Sequence, residues 1–137
     1  MVSPIYIIAV LLGIAFLLGL FKQPGAKFAR LAAIVTLAFP AFVSVSWLVH
    51  FILNPAEPFM VYTAGALPPF SINLKMGLEE AFMTSAVNLL GFFGFMYLNK
   101  TMRVQGTKAV VLFMILIMGM NVVIMTRDIF NLFVFLE

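Results

Sequence analysis

The sequence predicts an all-α membrane protein with four transmembrane helices plus the start of a fifth, and its N-terminus outside. Three observations carry that prediction. First, 64% of the 137 residues are hydrophobic and only 9% are charged, where a soluble domain of this length carries about a quarter charged residues. Second, the apolar residues fall into runs of spanning length separated by short polar breaks. Third, the basic residues gather in alternate breaks, which fixes an orientation. The surrounding medium is therefore lipid or other membrane protein. A net charge of +3 spread over loops points to no nucleic-acid partner.

Segment one runs from about 5 to 21 without a charge. At 1.5 Å per residue it is just long enough for a thin hydrocarbon core. Pro4 suits a first helical turn. No basic region precedes the run and no small-x-small cleavage pattern follows it, so it reads as a retained helix. The break that follows holds Lys22, Lys27 and Arg30 around Pro24-Gly25.

Segment two, about 31 to 53, has Pro40 near its middle, which predicts a kink or a locally opened backbone. Ser44 and Ser46 are expected to bond back to helix carbonyls. His50, beside Trp47, sits where interfacial aromatics and polar tips belong, with a proton relay as the alternative. The next break, from Asn54 to Leu74, is rich in Pro and Gly. Its Phe59-Met60-Val61-Tyr62 has the composition of a short strand or hairpin at the membrane surface.

Segment three, about 75 to 98, opens with Glu79 and Glu80. Glu80, Thr84 and Asn88 recur at i, i+4, i+8, a polar stripe that must face protein or water. Either the glutamates sit at headgroup level and stabilise the helix start, or Glu80 belongs to a polar path. After a break with Lys100, Arg103 and Gly106, segment four runs from about 108 to 125. Its methionines suit adaptable packing. Asn121, its strongly polar interior residue, is expected to bridge helices.

Breaks one and three are basic; break two has no Lys or Arg until Lys75, and in break four Arg127 is offset by Asp128. The basic side faces the cytoplasm, so segment five, about 129 to 137, starts outside and heads inward. Asp128 stands where an N-cap belongs. Glu137, nine residues on, then lies about 13–14 Å deeper, near the midplane of a core about 30 Å thick. An ionised group there costs about 3 kcal/mol and usually faces a bundle interior on an ion or proton path. Structural pairing and an interfacial position are the other readings. All of 1–137 reads as a single membrane domain.

The stretch from Thr126 to Glu137, T-R-D-I-F-N-L-F-V-F-L-E, resembles the start of helix five in the antiporter-like membrane subunits. These are shared by Mrp-type sodium/proton antiporters, the proton-pumping arm of complex I, and membrane-bound hydrogenases and their relatives. The stretch from Gly65 to Leu74, G-A-L-P-P-F-S-I-N-L, resembles the family's approach to helix three. Three features depart from the pattern: Gly77 stands where an aspartate is frequent, Arg127 replaces a glycine, and the pair Glu79-Glu80 is unexpected. The resemblance implies that Glu137 is the translocating carboxylate; Glu80, Asn88 and Asn121, singled out above as polar residues within the helices, are second-rank candidates for lining a path. It implies a subunit of a multisubunit complex moving H⁺ and/or Na⁺, to which a peripheral redox arm can belong. The family's partner lysine on helix seven is not in this sequence, so another chain is expected to supply it with the remaining helices.

With no cysteine and one histidine, the chain holds no evident metal site, and nothing in it suggests a flavin, iron–sulfur or quinone site. The expectation is a subunit with no catalytic centre and no cofactor, contacting lipid and other membrane subunits. If Glu137 is the terminus, its α-carboxylate adds a second anion and the last four helix carbonyls lack partners. The sequence is therefore expected to be the first part of a longer polypeptide or one piece of a split subunit. Failing that, the last segment lies along the interface or ends in a hydrated cavity. The alternative function is structural: a helix bundle filling or sealing the membrane arm without passing ions.

Overall fold

The structure, a computed structural model, describes residues 2–21, 25–62 and 73–137, with the backbone alone at 26, 102, 103 and 131. The elements in order are α1 (Ile5–Leu20), α2 (Ala26–Leu53), β1 (Phe59–Tyr62), β2 (Asn73–Met76), α3 (Leu78–Gln105), α4 (Thr107–Met125) and α5 (Ile129–Leu136). Three helices are long and apolar enough to cross a membrane, within Lys27–Leu53, Leu78–Thr101 and Thr107–Met125. The 16-residue α1 and eight-residue α5 are shorter.

Each helix buries one stripe and leaves the opposite face apolar. On α1 the stripe is Ile7, Leu11, Ala15 and Leu18, and α1 packs against α4, whose buried residues include Met114, Met118 and Val122. The spacing of four, four and three is one face of a helix. On α2 the small residues Ala29, Ala33 and Ala41 are buried, allowing the close helix approach typical of membrane bundles. Phe16, Val35, Phe42, Leu90, Phe93 and Leu112 point outward, a surface lipid can cover and water cannot.

Helix α2 continues through Pro40. Thr36 Oγ1 donates to the Ala32 carbonyl at 2.6 Å, Ser44 to Ala41 at 3.1 Å and Ser46 to Phe42 at 2.8 Å. These are the back-bonds expected of small hydroxyls in an apolar helix.

Helix ends differ from the hydropathy boundaries. Helix α2 begins at Ala26, so Lys27 and Arg30 lie on it, and α3 runs on to Gln105, so Lys100 and Arg103 do too. Apolar runs mark the depth of the hydrocarbon, whereas backbone hydrogen bonding continues into the headgroup zone, where long basic side chains reach water. The third break thereby shrinks to Gly106, whose φ of +83° makes the tight turn that glycine tolerates.

Residues 73–76, expected as the end of the second break and the start of segment three, are strand β2. It pairs antiparallel with β1 in the register Phe59↔Met76, Met60↔Lys75, Val61↔Leu74, Tyr62↔Asn73. Leu74 and Met76 are buried while Asn73 and Lys75 are half-buried, the alternation of a strand. The hairpin sits at the end of the bundle where α2 stops and α3 starts. Phe59 tilts against Trp47 at 5.4 Å between ring centroids, and Trp47 Nε1 donates to the Val2 carbonyl at 2.9 Å. His50 meets Trp47 and Phe51 edge-on, in the aromatic cluster expected at an interface.

Candidate functional site

At the hairpin end, α4 stops and the chain turns back. The Thr126 N–H closes α4 on the Val122 carbonyl, and Leu74 and Thr126 form an antiparallel bridge. The Arg127 N–H donates to the Asn73 carbonyl at 3.0 Å. Asp128 is extended, at φ −113° and ψ 124°, and its Oδ1 accepts from the Phe130 N–H at 3.0 Å. It is the N-cap, satisfying one of the otherwise unpaired donors of α5.

Helix α5 runs back beside α4. A Cβ added at Gly119 would stand 3.7 Å from the Phe135 carbonyl oxygen. Gly119 is six residues from the end of α4, about 9 Å along the axis, and Phe135 is seven residues past Asp128, about 10 Å. Glu137 therefore lies level with the middle of the 19-residue α4, which is about 28 Å long. It is exposed in this chain, on a groove of about 790 Å³ between α4 and α5. Leu112, Ile115, Gly119, Val123 and Val134 are among the lining residues, and Glu137 is the charged one. No Lys, Arg or His side chain pairs with it among the described residues.

Deeper in the bundle, Asn88 on α3 and Asn121 on α4 face each other. Each amide nitrogen donates to the other's oxygen at 2.9 Å, and Asn121 Nδ2 also donates to the Ile117 carbonyl at 2.8 Å. Both are fully buried. A reciprocal amide pair satisfies each group in an apolar setting and ties two helices together. Gly91, one turn beyond Asn88, lets the helices approach: a Cβ there would meet Ile117 Cδ1 at 2.8 Å.

Glu80 sits at the hairpin end of α3, its side chain only 9% exposed. Oε1 accepts from Arg127 Nη2 at 2.6 Å and lies 3.4 Å from Lys75 Nζ, while Oε2 accepts from the Gly77 N–H at 3.1 Å. Thr84, next on the stripe, donates to the Glu80 carbonyl at 2.6 Å. At the opposite end, with the Asn99 amide oxygen toward the guanidinium, it accepts from Arg30 Nε at 2.6 Å and Nη2 at 2.9 Å. Among the described residues no group of three His, Asp or Glu could hold a metal ion.

No protein-family model and no curated protein matches the sequence. Among solved structures, the chain is similar to part of a chain in the membrane-bound sulfane sulfur reductase (MBS), an archaeal respiratory membrane complex. The TM-score is 0.87 and the identity 28%, over 98% of this chain and 28% of that one. The chain is a multi-pass membrane protein. Its likeness to that complex supports a family-level relationship with the antiporter-like, complex I-like membrane subunits. It spans little more than a quarter of the chain it matches.

Of the four residues singled out in the sequence, Asn88 and Asn121 meet, Glu80 lies at the hairpin end, and Glu137 stands apart on the groove. The motif at Gly65–Ile72 lies outside the described residues. Sequence reading missed that Lys75, Gly77, Glu80 and Arg127 form one cluster. Its trace in the sequence was that Gly77, Arg127 and the pair Glu79-Glu80 depart from the resembled pattern, 47 residues separating Glu80 from Arg127.

Proposed function

We propose that the chain is part of an antiporter-like subunit in a multisubunit membrane complex that translocates H⁺ and/or Na⁺, with Glu137 as the ion-exchanging carboxylate. One observation carries the reading: a carboxylate level with the middle of α4, on the open α4–α5 groove, with no cation of this chain beside it among the described residues. An anion at that depth is costly alone, so a Lys or Arg from a neighbouring chain is its natural partner. The resemblance of Thr126–Glu137 to the family's helix five, and the likeness to a respiratory membrane complex, support the same reading. The other membrane subunits would bring the remaining helices and any redox arm, and this chain would serve as a non-catalytic part.

The test is Glu137→Gln in the intact complex, with ion flux measured in membrane vesicles. Loss of coupled transport with normal assembly is expected. Unchanged transport with normal assembly would overturn the proposal.

A structural role is the second reading, favoured by the internal pairing of Asn88 with Asn121 and of Glu80 with Arg127. Under it the chain fills or seals the membrane arm, and Glu137→Gln impairs assembly alone.

A further inference from the structure

We propose that Glu80 is a positioning residue: its carboxylate clamps strand β2 to the α4–α5 elbow and so sets the placement of α5 and the depth of Glu137. The proposal assigns Glu80 a role distinct from lining an ion path. Its link to transport rests on the reading of Glu137 given above, whereas the placement of α5 is testable without it.

Four contacts define the clamp. Glu80 Oε1 takes Arg127 at 2.6 Å, from the elbow, and Lys75 at 3.4 Å, from β2. Its Oε2 takes the Gly77 N–H, the link between β2 and α3, at 3.1 Å. The fourth contact is backbone: the Arg127 N–H bonds to the Asn73 carbonyl. Arg127 is thus held at both ends, by its main chain on β2 and by its guanidinium on α3. The next residue, Asp128, caps α5. Displacing Arg127 therefore displaces the start of α5.

The carboxylate is nearly buried while the Arg127 side chain is 47% exposed, so the charge-assisted bond is short and directional but partly screened. Helix α5 has little else to orient it. Ile129, Phe130, Phe133 and Leu136 face outward in this chain, and Phe135 is partly buried against the core. A two-turn helix with so few contacts takes its direction from its anchored end.

Gly77 belongs to the clamp for a steric reason. A Cβ at this position would stand 2.8 Å from Glu80 Oε2. A side chain at 77 and the observed seat of the Glu80 carboxylate exclude each other. Gly77, Glu80 and Arg127 thus act on one point in space. The carboxylate comes from one turn further along, the glycine makes room for it, and the arginine neutralises it.

The chain has no cysteine, so a cysteine pair at Gly119→Cys and Phe135→Cys reads the α4–α5 approach directly by oxidative crosslinking within the intact complex. In that background Glu80→Gln and Arg127→Gln should each slow crosslinking about fivefold or more, and the two together no further than either alone. Arg127→Lys should restore most of the rate. Gly77→Ala should slow it with no change of charge, and the exposed Glu79→Gln should leave it unchanged.

Equal rates in Glu80→Gln, Arg127→Gln and the parent pair overturn the clamp, as does an equal loss in Glu79→Gln. If a charge-neutralised variant fails to assemble, Gly77→Ala and Arg127→Lys still decide: an unchanged rate in Gly77→Ala overturns the proposal. Slowed crosslinking together with normal transport in Glu137→Gln leaves the clamp standing and removes the translocation reading. Unchanged crosslinking with transport lost in Glu137→Gln does the reverse.

Discussion

Replacing Asn121 by Leu should destabilise the bundle more than replacing Asn88 by Leu, although the two amides are reciprocal partners. The asymmetry comes from the third bond. After Asn88→Leu, Asn121 Nδ2 keeps the Ile117 carbonyl at 2.8 Å. After Asn121→Leu, Asn88 loses both of its hydrogen bonds to Asn121 at once and is left fully buried. An unsatisfied buried polar group costs about 1–3 kcal/mol, while interhelical bonds in membranes average about 0.6 and reach about 1.7 kcal/mol. We therefore expect a loss of about 2–3 kcal/mol for Asn121→Leu and about 1–2 kcal/mol for Asn88→Leu. Removing both amides leaves nothing unpaired, so the double variant should fall short of the sum by about 1–2 kcal/mol. Equilibrium unfolding in mixed micelles, titrated with SDS, measures all four corners of the cycle. Additivity within about 0.5 kcal/mol, or Asn88→Leu as the costlier change, would refute the reasoning. Transport that collapses in these variants while their stability holds would instead place the amides on an ion path.

Two further outcomes follow from local geometry. Gly91→Val should overpack the α3–α4 contact against Ile117, at a cost of about 1–3 kcal/mol in the same unfolding measurement; adding Ile117→Ala should recover part of it. Asp128→Ala removes the α5 cap and should cost about 1 kcal/mol of local stability, read as faster amide hydrogen exchange in α5, with Asp128→Asn close to the parent.

Much of the fold is legible in the chain because lipid imposes a simple rule: backbone polar groups must be paired within each segment, so long apolar runs become helices. The strand composition of Phe59–Tyr62 and the cap at Asp128 are equally local, and both appear in the structure. Strand β2 was not legible, because Asn73–Met76 becomes a strand only through its pairing with β1 across residues 63–72. Helix ends at Ala26 and Gln105 were missed because charge was read as loop, when basic side chains extend from helices into the headgroups.

For the candidate site the division is similar. Glu137 and its depth follow from counting residues along a helix of known rise, and the approach of Gly119 to Phe135 agrees with that count. The stripe Glu80, Thr84, Asn88 follows from helical period, but the partners of its members do not. Asn88 meets Asn121 across 33 residues of sequence, and Glu80 meets Arg127 across 47.

By itself, then, the sequence determined the medium, the helical segments, the position of one carboxylate along its helix, and a resemblance to subunits of ion-moving complexes. Each of these depends on interactions of short range along the chain or on composition. Only the tertiary structure decided which face of the almost uniformly apolar α1 is buried, which polar groups satisfy one another, and that Lys75, Gly77 and Arg127 meet at Glu80. The physical reason is that in lipid the outward and inward faces of a helix are alike in polarity, so hydrophobic periodicity loses its information. Packing geometry and the pairing of a few polar groups then choose the arrangement.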